Sequence, residues 1–168
     1  MTWVKLDHLA SFGMDMVGCD NWVKCNPYSG DTDCTAELPV LCIKIDQSPR
    51  PAYVVTGNGH AMPAEYYQGW GQGHVTTTRA VRASNFNSLE EVDAFCVESF
   101  GQGWRTAEIH DGKLIYGMNN TVYAGDSWTS ASSQIQSGGW RFYAYGNVRN
   151  DTRFWAHIND QQSICWGQ

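Results

Sequence analysis

Imidazole and carboxylate side chains that could act together fall in two short segments of the chain. The candidates for acid–base or metal chemistry are His110, Asp111, His157 and Asp160. If the two segments pair in the fold, an imidazole beside a carboxylate suits zinc binding or general-base catalysis. The structural alternative, which we favour, is that Asp111 and Gly112 form a turn and that Asp160 bonds to backbone at a strand end. We therefore assign no catalytic residue and no metal ligand, and keep a secreted metal-dependent hydrolase as an alternative.

Aromatic residues flanked by glycines and amides occur in two segments that the sequence predicts as loops, 66–73 and 127–139. Sugars bind by stacking their apolar faces on aromatic rings while amides and carboxylates bond to their hydroxyls. The residues that we predict to bind a ligand are Tyr67, Trp70, Asp126, Trp128 and Gln134. The other rings are expected mostly in the core, since a strand over 140–145 must bury one face. His60, Glu65 and His74 form no metal motif, and we predict ordinary surface positions for them.

Six cysteines indicate the compartment. An even number, with four of them inside residues 19–42, is typical of disulfide bonds in an extracellular or periplasmic protein. A zinc site is the alternative, but zinc ligands usually include a close Cys-x-x-Cys pair, and the chain has none. Three pairings of the N-terminal four are open at this stage. These four are Cys19, Cys25, Cys34 and Cys42.

Composition excludes several kinds of partner. The net charge is -6, with only 17% charged residues, which argues against nucleic acid and anionic membranes. No apolar stretch is long enough for a transmembrane helix. We expect no signal peptide, because Met1 resembles an initiator added to a mature form. No cofactor is predicted, and the oligomeric state is left open.

The chain is long enough for a single domain with its own core. We predict a turn-rich, cysteine-containing N-terminal region over 1–36 and a β-rich main body over 37–168. The main helix is predicted at about 88–100, because Ser88 can cap it and Glu91 fits the capping box. The predicted strands are 40–45, 52–56, 75–81, 113–118, 140–145 and 154–158. The fold class is therefore α+β, with β-structure dominant.

Residues 86–168 resemble the C-type-lectin-like fold. The features that carry the resemblance are a helix cysteine, the following Gly103-Trp104-Arg105 and the Asn159-Asp160 pair shortly before Cys165. The strings Gly-Trp-Arg-Thr-Ala-Glu-Ile-His-Asp-Gly and Phe-Trp-Ala-His-Ile-Asn-Asp-Gln also resemble an uncharacterised group of secreted bacterial proteins. Calcium-dependent lectins carry a Glu-Pro-Asn or Gln-Pro-Asp triplet, and this chain has neither. The resemblance thus implies a lectin-like fold without the calcium-dependent sugar site.

The resemblance also implies a disulfide between Cys96 and Cys165, which would tie the helix to the last strand. Together these features favour a secreted or periplasmic binding protein over an enzyme. We expect it to recognise a glycan or a cell-surface protein without calcium. A secreted, host-facing toxin or defence protein acting on a receptor or membrane is a further alternative.

Overall fold

The computed structural model describes residues 1–19, 32–49, 69–109, 111–112, 141–158 and 163–166, with backbone alone for 69 and 70. These residues form seven strands and one α-helix. The strands are β1 (Thr2–Leu9), β2 (Met14–Gly18), β3 (Glu37–Ile45), β4 (Gly69–Arg82), β5 (Arg105–Thr106), β6 (Arg141–Tyr145) and β7 (Phe154–Trp155). Helix α1 is Leu89–Phe100. The predicted strands 52–56 and 113–118 lie outside the described residues.

Six of the strands close into a barrel. Their order is β4-β6-β2-β1-β7-β3, and β3 pairs again with β4 to complete the ring, while β5 adds to β3. The β4–β6 and β3–β7 pairs are parallel, and the other pairs of the ring are antiparallel. The prediction of a β-rich chain with one main helix is confirmed. The barrel does not confirm the C-type-lectin-like fold that the resemblance implies.

Large apolar side chains fill the barrel. Successive side chains of a strand point to opposite faces, so each strand contributes alternate residues to the interior. The interior cluster includes Trp3, Val17, Ile43, Phe142 and Phe154, all fully buried. The ring of Trp3 meets that of Phe142 edge-on, with centroids 5.7 Å apart. Strands from both ends of the chain thus share one core.

Helix α1 packs on the outer face of the barrel, and its prediction is confirmed. The Ser88 side chain accepts a hydrogen bond from Glu91 N, as a capping residue does. The carboxylate of Glu91 accepts a bond from Asn87 N at 2.7 Å, one residue before the cap. The helix buries Val92, Phe95 and Cys96 against strand residues of the same cluster. Capping and apolar spacing together set where this helix begins and which face it buries.

The prediction of a turn-rich region over 1–36 is wrong for its first half. β1 and β2 pair through residues 4–9 and 14–18 and lie inside the ring, joined by a short 3-10 turn, Ala10–Phe12. The turn prediction rested on Gly18 and on the Asn, Pro, Gly and Ser residues that follow it. Lys5 and Asp15 instead lie on the same face as Val17 and form a buried ion pair. Residues 2–18 therefore belong to the main body.

The prediction of a loop over 66–73 is wrong from residue 69 onward, where β4 begins. Its glycines allow close packing. A Cβ atom on Gly73 would lie 1.9 Å from the Lys44 carbonyl oxygen. One on Gly71 would lie 3.0 Å from the Phe142 ring. These glycines mark close approach between strands and do not mark a turn.

The predicted Cys96–Cys165 bond is also wrong. Cys96 bonds to Cys42 of β3, and Cys165 bonds to Cys34. Helix α1 lies over β3, and this places Cys96 beside Cys42 at a Cα–Cα distance of 5.9 Å. Cys19 is also disulfide-bonded, to a partner outside the described residues. The described cysteines are thus all oxidised, as their number and spacing predicted.

Candidate functional site

The two segments that hold the predicted catalytic residues do pair. Ile109 N donates to His157 O at 3.1 Å, and His157 N donates to Ala107 O at 2.8 Å. Glu108 and His157 form a parallel bridge. Two of the four candidates, Asp111 and His157, can therefore be placed, whereas His110 and Asp160 lie outside the described residues.

Asp111 makes hydrogen bonds that stabilise its own turn. Both of its carboxylate oxygens accept hydrogen bonds from the guanidinium of Arg105, and one accepts a bond from Glu108 N at 2.6 Å. Burial alone would lower the pKa of Arg105, but the hydrogen bonds and charge of Asp111 outweigh it and raise that pKa. A buried carboxylate whose charge is balanced by an arginine stabilises a turn. It is a poor general base, because both of its oxygens already accept hydrogen bonds.

His157 is held as a neutral ring. Its side chain is 2% exposed and stacks on Trp166, with centroids 6.0 Å apart. Burial lowers the pKa of His157 to about 4, and the positive charges of the N-terminal ammonium and Arg105 act in the same direction. A general base works best with a pKa near the operating pH. The described half of the predicted catalytic cluster is therefore engaged in contacts within the fold.

A second imidazole–carboxylate pair lies at one end of the barrel, and the sequence did not reveal it. His8 Nδ1 lies 2.6 Å from Asp15 Oδ1, and Lys5 Nζ lies 2.8 Å from the same oxygen. The Asp15 side chain is fully buried, whereas that of His8 is 32% exposed. No motif joins these residues in the sequence. Only the antiparallel register, which sets His8 opposite Asp15, brings them together.

The surroundings of Asp15 hold it in place. Its second oxygen accepts a bond from Val148 N, and the Lys5 ammonium also donates to Asn147 Oδ1 at 2.8 Å. A carboxylate bonded to Nδ1 fixes the imidazole in one orientation and leaves Nε2 as the basic atom. Such a ring can accept a proton or support a metal ion. In the described part of the chain, no group of three or more potential ligands is arranged to hold a metal.

A third polar set, which we call the rim site, consists of His74, Tyr145 and Asp46 near one end of the barrel. His74 and Tyr145 are opposite each other in the β4–β6 pair, and their rings lie 5.4 Å apart. His74 Nδ1 lies 2.9 Å from Asp46 Oδ2, and Tyr145 Oη donates to Pro49 O at 2.7 Å. The His74 and Asp46 side chains are 45% and 30% exposed. The rim site thus offers an aromatic surface, an imidazole and a carboxylate to solvent.

The carboxylate of the rim site is ionised. A hydrogen bond from the Ser48 side chain lowers the pKa of Asp46, and His74 adds to the effect. Asp46 follows the last residue of β3, and Asp46 N donates to Gln72 O at 3.2 Å. The end of one strand and the backbone of the next therefore fix the carboxylate beside the imidazole.

The residues predicted to bind a ligand are mostly beyond the described part of the chain. Tyr67, Asp126, Trp128 and Gln134 lie outside it. Trp70 lies in β4, where its backbone pairs with Tyr143, and is therefore not in a loop. Phe142 and Tyr143 are buried, so among the described residues of 140–145 the one ring that reaches solvent is that of Tyr145, which is half-buried.

Among the described residues, no helix is long and apolar enough to cross a membrane. The chain matches no protein-family model, no curated protein and no solved structure. Function is therefore inferred from the placement of its own side chains.

Proposed function

We propose that the protein is an extracellular binding module that recognises a glycan, or a glycan-bearing protein surface, without calcium. The rim site carries this proposal. It places the exposed ring of His74 against Tyr145 and beside an ionised carboxylate. Sugar rings bring apolar C–H faces to aromatic rings and hydroxyl donors to carboxylates, so the arrangement suits a saccharide.

The contacts of the candidate catalytic residues support binding over catalysis. Asp111 and His157 are engaged inside the fold, by Arg105 and Trp166 respectively. The sequence contains neither the Glu-Pro-Asn nor the Gln-Pro-Asp triplet of calcium-dependent lectins, which supports recognition without calcium. The disulfides Cys34–Cys165 and Cys42–Cys96 support an oxidising compartment, since such bonds are rare where thiols are kept reduced.

A glycan array with the intact, oxidised protein tests the proposal. His74→Ala removes the exposed ring, and Asp46→Asn keeps the shape of the side chain but removes its charge. Each should weaken binding to the best array ligand about tenfold or more, because one good polar or stacking contact contributes about 1.4 kcal/mol or more. Glu37→Gln is the matched control, since Glu37 is exposed at the far end of β3 and, among the described residues, pairs with the exposed Arg82 alone.

A wild-type protein that bound neither glycans nor glycoproteins would overturn the proposal. Equal affinities for wild type, His74→Ala and Asp46→Asn would instead show that the rim site is not where the ligand binds. Circular dichroism of each variant verifies that the barrel is intact before the affinities are compared.

A further inference from the structure

Arg141 is the first residue of β6 and lies on the outer face of the barrel. The next residue, Phe142, points into the core, so Arg141 points the other way. Directly opposite Arg141 on β2 is Gly18, which has no side chain. Arg141 is half-buried, and the residue directly opposite it among the described positions offers no side chain.

The other described arginines all have partners. Arg82, Arg105 and Arg149 form ion pairs with carboxylates, Arg79 lies over the Phe95 ring and Arg153 donates to Thr2. Within the described residues, Arg141 makes no ion pair, hydrogen bond or ring contact. This is unusual in a chain with a net charge of -6, where carboxylates outnumber cations.

A half-buried cation without a counter-ion is unfavourable, because the charge loses water without gaining a partner. Burial lowers the pKa of Arg141, which reflects that cost. An arginine remains protonated even so. A planar guanidinium presents several donors that match two oxygens of a carboxylate, sulfate or phosphate group. An anion from solution would therefore supply the partner that the described residues do not.

We infer that Arg141 is an anion-binding residue, which receives an oxyanion of a ligand on the outer face of the β2–β6 strand pair. The oxyanion is a carboxylate, sulfate or phosphate group. The rim site lies at the other end of β6, about 13 Å away along the strand. The inference stands independently of the proposed function, since it rests on Arg141 and Gly18 alone.

Thermal unfolding and calorimetric titration at constant ionic strength test the inference. Sodium sulfate, sodium phosphate and sodium glucuronate are each titrated against matched sodium chloride. At least one should raise the melting temperature with a saturable dependence, and comparison of the three identifies the group that is recognised. Arg141→Met should abolish the saturable rise, and Arg141→Lys should weaken binding about tenfold because the paired donors are lost. Arg149→Met, at an exposed pair with Asp151, should bind the anion as wild type does.

The same variants give a readout that does not need the anion. In chloride alone, Arg141→Met should be at least as stable as wild type, because it removes an unpaired half-buried charge. A large loss of stability in that variant would show that Arg141 has an internal partner and would overturn the inference. An unchanged anion response in Arg141→Met, or no saturable response in wild type, would also overturn it.

Discussion

His8 Nδ1 and Lys5 Nζ both approach the same oxygen of Asp15, at 2.6 and 2.8 Å. The carboxylate is fully buried, and the Lys5 side chain is only 7% exposed. An ion pair thus lies among apolar residues where the first two strands meet. Its partners come from β1 and β2, so the pair fixes the register between them.

Asp15→Asn should strongly destabilise the protein. The substitution leaves the buried Lys5 ammonium without a counter-charge, and removing one member of a buried pair typically costs about 3–5 kcal/mol. Chemical denaturation at neutral pH measures the change. The exposed neighbour Asp7 provides a control, since Asp7→Asn should change stability little. Equal effects of the two substitutions would show that the buried pair does not stabilise the barrel.

His157 should make the protein less stable in mild acid. Its pKa is about 4 in the fold and near 6.5 when unfolded, so the unfolded chain binds more protons between these values. The stabilisation is fully present above the unfolded value and is lost as the pH falls. Between pH 7 and pH 5 the loss from this group should be about 2 kcal/mol. Urea denaturation of wild type and His157→Gln at both values isolates it, because the variant lacks this part of the pH dependence. An imidazole NMR titration with a midpoint above pH 6 would contradict the prediction.

Each described disulfide should contribute separately to stability. Chain entropy predicts about 4 kcal/mol for Cys42–Cys96 and about 5 kcal/mol for Cys34–Cys165, because the bonds span 54 and 131 residues. Cys42→Ala/Cys96→Ala and Cys34→Ala/Cys165→Ala, compared with wild type by denaturation, measure these contributions. Peptide mapping under non-reducing conditions checks the pairing directly. A peptide that joined Cys96 to Cys165 would contradict the structure.

Local signals predicted the helix and four of the strands. Ser88, the acidic first turn and the apolar spacing all act within one helix, so the sequence contains the whole pattern. β-branched and aromatic runs also predicted strands over 40–45, 75–81, 140–145 and 154–158, although β7 covers only Phe154–Trp155 of the last. Interactions of this kind need no knowledge of the rest of the fold.

Strands and sites that depend on distant partners were missed. Lys5 and Asp15 look like surface residues until the register of β1 and β2 places each beside the other. Gly71 and Gly73 suggested a loop because glycine is a common turn residue. In the fold they leave room for the Phe142 ring and the Lys44 carbonyl, which are far away in the chain. The rim site likewise needs three strands to bring Asp46, His74 and Tyr145 together. Its residues carry no motif because no two of them are close in sequence.

The two described disulfides are nested, since the 42–96 bond lies within the span of the 34–165 bond. A protease that cuts the backbone once anywhere between Cys34 and Cys165 therefore leaves a single covalent molecule. A cut between Cys42 and Cys96 leaves two fragments that are still joined twice. After such a single cut, the two fragments separate only when both disulfides are reduced. A single backbone cut between Cys34 and Cys165 that would split a chain without disulfides into two molecules therefore leaves this protein as one molecule.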